Sequence, residues 1–466
     1  MKKLSKMLAL VLAGLMLLAA VPALAEVPEG YPEIQIDPAT GAPYDLGGME
    51  IWIYDWWSPS DGTRQEADST ALQDTYDYRD WCMETYNYTI KQAAISDWAG
   101  NPEALLNFCN EETPSANAVF IMRPDSVGNA MKNGLLYDLA TLDAFDFEDA
   151  KWNQGSLDFL RAGDSVYAMS TGRSEVRQVV YFNKRLLEDA GIDPDSLYTM
   201  VENDEWTWDA FKDLLAQCQR DTDNDGVVDI YGMAAFQSDL YLAAVFSNGG
   251  TFFDLDADGK FVITATEPEA VDALNYAVEL INEYQMPQGD AEWNYMYPAF
   301  KNGMAAFHVG QAYEVNPGSD LDGMEDEYGI VPFPKGTSDK AEFCHVQSEN
   351  LWVMPGKYDA DTANKIAFAV NLWTNETPGY ETTVDDEAWK TGLYNRFCDD
   401  ESIDITYALL RENPKVNKTA LLGSDNDMLG RDFFWTLNGG GVTVAEQMEV
   451  KLPTWQATVD DYNGAN

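Results

Sequence analysis

Histidine is almost missing from this chain. His308 and His345 are the two that occur, and neither lies in an H-E-x-x-H pattern. No G-x-S-x-G elbow and no Walker pattern accompanies them. Zinc hydrolysis and Ser-His-Asp catalysis therefore find little support, and His308 reads as a structural strand residue. Cysteine is also scarce. Cys82, Cys109, Cys218, Cys344 and Cys398 are too few and too scattered for a disulfide scaffold, and none sits in C-x-x-C. Their odd number leaves at least one thiol unpaired, and several fall within apolar patterns, as buried free thiols do. Basic residues are short as well: 29 Lys and Arg stand against 79 Asp and Glu, a net charge of -50. Affinity for nucleic acid or anionic membrane comes from cationic contacts with phosphate, so neither partner is expected. Neutral ligands or cations fit better, and the acidity also serves as a solvated surface that keeps an exported protein soluble.

Long apolar runs are confined to the start. Lys2, Lys3 and Lys6 precede an apolar run from Met7 to Ala20, followed by Ala23-Leu24-Ala25. That is the layout of a cleaved secretory leader over residues 1–25, and the run is short of the ~20 apolar residues of a membrane span. The protein is thus expected to be secreted or periplasmic. Residues 26–466 exceed what one hydrophobic core organises, so two lobes are expected.

Residues 26–45 read as an irregular, Pro- and Gly-rich lead-in. Met49–Tyr54 alternates as a strand, a helix follows through Tyr78, Trp81, Cys82 and Tyr86, and Tyr88–Ile95 and Ala118–Met122 read as further strands. Strands alternating with helices are the grammar of an α/β lobe. Val176–Phe182 is a continuous apolar run suited to a parallel strand buried on both faces. Asn183 can cap the helix after it, and Gly191 sits where that helix stops. Thr207 can cap a helix whose apolar face is Trp208, Phe211, Leu214, Leu215 and Cys218. Thr266 and Glu269 have the spacing of a capping box.

Ligands of open α/β sheets bind beyond the carboxyl ends of the strands. Asp55, Trp56, Trp57, Trp98, Arg123 and Asp125 all follow strands of the first lobe. Two adjacent tryptophans cannot easily both be buried, so one of Trp56 and Trp57 is expected to be wet or on ligand. Aromatic rings cover the apolar faces of sugars, and Asp, Asn and Arg bind their hydroxyls. Asp239 and Tyr241, with Trp293, Gln311, Tyr313, Trp352 and Arg177, extend the candidate ligand set, each with a plain core reading beside it. The sharpest motif is Asp221-x-Asp223-x-Asp225-Gly226-Val227-x-Asp229. It places carboxylates at positions 1, 3, 5 and 9 and the Val227 carbonyl at 7, the front of an EF-hand-type loop, but position 12 is Gly232. A structural calcium ion and a bare acidic turn both fit. Asp254-x-Asp256-x-Asp258-Gly259 lacks later ligands and reads as a hairpin turn.

The stretch GDSVYAMSTGRSEVRQVVYFNKRLLEDAG, residues 163–191, resembles the first inter-lobe crossover of the extracellular solute-binding receptors of ABC importers, family 1, the relatives of maltose-binding protein. Their pattern is roughly G-x-x-Y-x-(L/M)-P, then Y-N-K-x-L, then A-G-(I/L); here Ser170 stands for the proline and Phe182 precedes Asn183-Lys184. Asn133-Gly134-Leu135-Leu136, Thr207-Trp208-Asp209, Asn248-Gly249-Gly250 and FKNGMAAFHV at 300–309 match further family segments.

The resemblance implies a two-lobed, periplasmic-binding-protein-like (type II) α/β fold, each lobe a mixed, mostly parallel sheet flanked by helices. It places residues 46–168 plus 300–340 in the N-terminal lobe and 169–299 plus 341–466 in the C-terminal lobe. It implies a monomeric, non-catalytic protein that captures a carbohydrate in the cleft and delivers it to a membrane ABC permease. Calcium loops of the Asp221 kind occur in the family. The family's lipid-anchoring cysteine has no counterpart near Glu26. A secreted glycoside hydrolase or lyase, which needs two positioned carboxylates, and a surface sugar-binding protein without transport are the alternatives; a peptide ligand also stays open.

Overall fold

A computed structural model describes residues 27–67, 69–162, 164–380, 388–423, 426–438 and 440–464. The leader at residues 1–25 lies outside them. Two four-stranded sheets carry the structure among the described residues. The first contains β1 (Met49–Asp55), β2 (Tyr88–Ala94) and β3 (Asn117–Met122). The second contains β4 (Gln178–Asn183), β5 (Tyr231–Met233), β6 (Ala305–Gln311) and β7 (Tyr328–Val331). β8 (Leu351–Val353) returns to the first sheet, antiparallel to β3. The strand orders are β8-β3-β1-β2 and β7-β4-β6-β5.

In the first sheet β1 runs parallel to both β2 and β3, as βαβ units require. The helix Thr70–Tyr86 makes the first crossover. Ser69 caps it by accepting the Leu72 N–H, and Tyr78, Cys82 and Tyr86 form its buried stripe at four-residue spacing. The helix Ala360–Trp373 closes the same lobe.

The second sheet departs from expectation in two ways. β4 is buried along its whole length, yet it pairs antiparallel with both β6 and β7. Burial on both faces produces a continuous apolar run whatever the strand direction. The same pairing moves residues 305–311 and 328–331 into the second lobe, whereas the sequence reading put 300–340 in the first. β4 is central and needs a partner on each edge, and these two strands supply them. β8 in turn belongs to the first sheet, so 341–466 is not one lobe. The chain crosses between the sheets around 169–177, around 346–351 and again between Trp373 and Ser402; at the first two, Met169 and Trp352 exchange backbone hydrogen bonds of 3.0 and 2.7 Å.

Local signals held where short-range chemistry decides. Asn183 accepts the Leu186 N–H at 3.1 Å, and Thr207 accepts the Ala210 N–H at 3.4 Å above the expected apolar face. The Thr266 capping box did not form. Pro268 starts the helix Pro268–Tyr284 after Glu267, and the Glu269 carboxylate pairs with Lys340 at 2.5 Å instead. The five cysteines are free thiols, three of them buried.

Candidate functional site

The loops at the carboxyl ends of the first sheet are held by their own side chains. Asp55 ends β1 fully buried. Its carboxylate accepts the N–H groups of Trp57 (3.1 Å) and Ser58 (3.0 Å), the Ser58 hydroxyl (2.6 Å) and the Gln92 amide (2.7 Å). Those four bonds use up its acceptors, so Asp55 shapes the loop and has nothing left for a ligand. Trp56 packs against the core while Trp57 is 50% exposed, edge-on at 4.8 Å; one of the pair is wet, as expected. Trp98 is also half-exposed. The Arg123 guanidinium lies 3.6 Å from its ring centroid, donates to the Trp98 carbonyl at 3.2 Å, and forks onto Asp125 at 2.9 and 2.7 Å. Arg123 and Asp125 thus fix an aromatic ledge beside Pro124.

Pro124 is one wall of a cavity of about 100 Å³ between the sheets. β8 contributes Leu351, β4 and β6 contribute Gln178 and Gln311, and the crossing segment contributes Gln347, Ser348 and Glu349. Asn417 and Ala420 cover it from the C-terminal region. At its floor Asp239, in the first turn of the helix Gln237–Ser247, is 2% exposed. The Gln178 amide donates to it at 2.8 Å and the Gln311 amide at 3.2 and 3.1 Å. The Gln178 carbonyl accepts the Val346 N–H at 2.8 Å, which fixes that amide's orientation. Burial pushes the Asp239 carboxyl up to about 6, against the pull of the Gln178 bond.

Among the described residues three polar atoms here lack partners: Glu349 Oε1, on a residue that lines the cavity, and Arg177 Nε and His345 Nε2, on the residues that precede the lining Gln178 and Val346. The residues adjoin one another. Arg177 donates its backbone N–H to His345 Nδ1 at 3.3 Å and a guanidinium N–H to the Ser348 carbonyl at 2.7 Å, over the Tyr313 ring. Since Nδ1 accepts, the neutral ring carries its proton on Nε2 as a donor. Burial, with the Arg177 charge beside it, pushes His345 down to about 3, so it stays neutral. Burial raises the Glu349 carboxyl against the attraction of Arg177. Two donors and one acceptor left unpaired in a folded interior call for a partner.

The remaining candidates fall elsewhere. Tyr241 is core: its hydroxyl donates to Asn438 at 3.0 Å and its ring stacks on Phe434 at 4.8 Å. An apolar helix face in the middle of the lobe buries it, which overturns the ligand reading. Trp293 is 66% exposed on a turn before the helix Met296–Lys301 and does not line the inter-lobe cavity. Trp352 is half-buried on β8 and packs on the core beside Met169. Trp57 lines a different cavity from the inter-lobe one. His308 is fully buried between the Ala234 carbonyl and Glu314, 2.8 Å away, a structural pair as expected. The sequence reading missed Gln178, His345, Gln347, Glu349 and Asn417. One signal was visible: Gln347-Ser348-Glu349-Asn350 is a polar run between two short apolar strands.

A larger cavity of about 620 Å³ lies inside the first lobe, between the helices Asn101–Asn110 and Pro124–Lys132. Glu103 is its one ionisable lining group, with Ser126, Asn129 and Asn133 as the other polar ones, and it is lined from the first lobe alone.

In the acidic loop, one oxygen from each of Asp221, Asp223 and Asp225 lies within 4.8 Å of the others. Asp221 accepts the Gly226 N–H at 2.8 Å, and its other oxygen is buried without a partner. Gly226 takes φ +90, which the sharp turn demands. Asp229 is turned away onto Thr222, and Val227 is exposed. Three of the four expected carboxylates are therefore gathered, and the fourth is engaged locally.

The family model for bacterial extracellular solute-binding proteins matches residues 111–369. Among solved structures the chain is similar to a cyclic alpha-maltosyl-1,6-maltose binding protein from Arthrobacter globiformis, with TM-score 0.62 and 16% identity over 89% of this chain and 100% of that one. It is similar to the GacH receptor of Streptomyces glaucescens, solved unliganded and with acarbose (TM-score 0.57, 15% identity, 89% and 99%). UgpB from Mycobacterium tuberculosis, in complex with glycerophosphocholine, is comparable (TM-score 0.60, 16% identity, 89% and 99%). At these identities the likeness is one of fold. No curated protein matches the chain.

Proposed function

Because this chain belongs to the bacterial extracellular solute-binding protein family, we propose that it captures an uncharged, hydroxyl-rich ligand, an oligosaccharide, between its lobes and delivers it unchanged to a membrane ABC importer. The observation that carries this is the cavity lined from both sheets by amides, hydroxyls, the buried Asp239 carboxylate and the half-buried Glu349 carboxylate. Hydroxyls both donate and accept, so they suit the Asp239 and Glu349 carboxylates together with the Gln347 and Asn417 amides and the Ser348 hydroxyl of the same lining. An anionic ligand would meet Asp239 and Glu349 with Arg177 already engaged by Ser348 and Glu175. Trp98 on its arginine and Tyr313 beneath Arg177 offer ring faces nearby. The Arthrobacter relative is named for binding a cyclic maltose-type sugar, which fits this class.

The inter-lobe space of about 100 Å³ is well below the roughly 300 Å³ at which ligand pockets begin. A sugar therefore enters by separation of the lobes about the crossing segments, and closure over it marks the loaded form for the permease. The protein works outside the cytoplasmic membrane as a monomer. No helix among the described residues is long and apolar enough to cross a membrane.

Thermal unfolding against a panel of neutral oligosaccharides tests the reading. A ligand at a hundred times its Kd stabilises by about 2.7 kcal/mol, which moves the midpoint by roughly 2–4 °C for lobes of this size. A shift with one sugar class, recovered uncleaved, supports the receptor. A cleaved sugar points to a hydrolase, and no shift with any sugar removes the carbohydrate assignment.

The Asp221 loop is a structural calcium site in this reading, held by Asp221, Asp223, Asp225 and the Val227 carbonyl, with Asp229 released from Thr222 or acting through water. Three clustered carboxylates repel one another without a cation. A chelator is then expected to lower the unfolding midpoint of the sugar-free protein, with calcium restoring it. An unchanged midpoint leaves the loop a bare turn.

A further inference from the structure

A second cavity, of about 280 Å³, lies on the flank of the first lobe and shares no lining residue with the inter-lobe site. Trp57, Thr63, Arg64, Arg79, Gln92 and Trp373 line it. Its charges do not cancel. Arg64 forks onto Asp80 at 2.9 and 2.6 Å, and Lys91 at the same cavity pairs with Glu50 at 2.8 Å. Arg79 has no such partner. Its guanidinium lies 3.9 Å from the Trp373 ring centroid and gives one N–H to the Trp373 carbonyl at 3.3 Å. Among the described residues its other N–H groups meet no protein acceptor, in a chain with 79 acidic side chains. Burial, with the Arg64 charge beside it, brings Arg79 down to about 10, so it remains a cation at neutral pH.

An arginine held over a tryptophan ring keeps its remaining N–H groups as a planar two-pronged donor, the shape that a carboxylate matches. One uncompensated positive charge balances a monoanion. A dianionic phosphate would be left half-neutralised beside Asp80. Trp57, half-exposed, lines the same cavity and offers a ring face. We infer that this flank cavity is a binding site for a ring-bearing monocarboxylate, such as a uronic acid, with the carboxylate on Arg79 and the ring against Trp57. The site stands apart from the inter-lobe cleft and does not depend on what the cleft binds.

Glucuronate is the probe and glucose its neutral twin, followed by tryptophan fluorescence of the full mature chain. Glucuronate is expected to change the emission saturably and glucose not. Arg79→Gln should weaken glucuronate at least tenfold while neutral-oligosaccharide binding in the cleft is unchanged. Arg79→Lys, which keeps the charge but loses the fork, should fall between. Where Arg79→Gln unfolds, Trp57→Ala serves, because an exposed ring is not needed for the fold; it should also weaken glucuronate. The inference is overturned if wild type does not respond to glucuronate. It is equally overturned if the folded variants bind it as well as wild type does, if Asp239→Asn abolishes it, or if inorganic phosphate binds more tightly.

Discussion

Asp239→Asn is expected to make the ligand-free protein more stable and its ligand more weakly held. The carboxyl sits 2% exposed, and burial raises it to about 6 from its ordinary value of 3.8. That rise corresponds to about 3 kcal/mol between the two protonation states. The sign follows from which state holds the proton. Between about pH 4 and 6 the folded protein keeps a proton that the unfolded chain has released. The penalty for burying the charge is therefore absent below about pH 4, grows through that window and is complete above about 6. Asparagine keeps an acceptor for the Gln178 amide and carries no charge, and the Gln311 amide, which donates to both Asp239 oxygens, turns its carbonyl to the new Nδ2. It should raise the unfolding free energy by roughly 2 kcal/mol at pH 7, the gap from wild type closing as the pH falls to 4. Urea unfolding of both proteins at several pH values reads this. Ligand affinity should fall about tenfold or more, since a charged acceptor for ligand hydroxyls is lost. A variant that is destabilised at pH 7, or binds as wild type, contradicts the assignment of Asp239 to the ligand.

The second large effect is steric. Gly128 lies in the helix Pro124–Lys132 of the first lobe and faces the short helix Thr419–Leu422. The latter packs on the helix Val444–Tyr462, which itself contacts the helix Pro268–Tyr284 of the second lobe. A methyl group at position 128 would come within 2.3 Å of the Leu421 carbonyl oxygen and 2.7 Å of its Cα. Backbone cannot step aside as a flexible side chain does. Gly128→Ala should thus cost roughly 2–3 kcal/mol in the closed arrangement and little when the lobes are apart. Converted at 1.4 kcal/mol per tenfold, affinity falls about thirtyfold to a hundredfold. Calorimetric titration measures it, and the thermal midpoint without ligand should change less than the affinity does. Unaltered affinity would mean that this contact plays no part in closure.

What the sequence made legible follows the range of the interactions concerned. The first lobe's strands, the helix through Tyr78, Cys82 and Tyr86, and the caps at Asn183 and Thr207 rest on contacts a few residues apart, and periodicity reports those. The membership of β6 and β7 depends on which strand has open edges, and no local pattern encodes that. Asp55 stood in the right loop, but its four hydrogen bonds turned it into scaffold. Tyr241 shared a helix with Asp239, two positions away and so on the opposite face, and both read alike in sequence. Gln178, His345 and Glu349 gain their meaning from partners up to 168 residues away, such as Val346 for Gln178. A lone polar residue in a strand carries no mark of such a partner.

The most direct measurement is a calorimetric titration of wild type and Glu349→Gln with the neutral oligosaccharide that shifts the unfolding midpoint. Glu349 carries one of the three unpaired atoms and lines the inter-lobe cavity, while glutamine keeps its shape. The account predicts one site per chain in wild type and an affinity reduced about tenfold or more in the variant, with the Arg79 cavity's glucuronate response intact. Equal affinity in the two proteins would place the sugar outside the inter-lobe site and contradict the account.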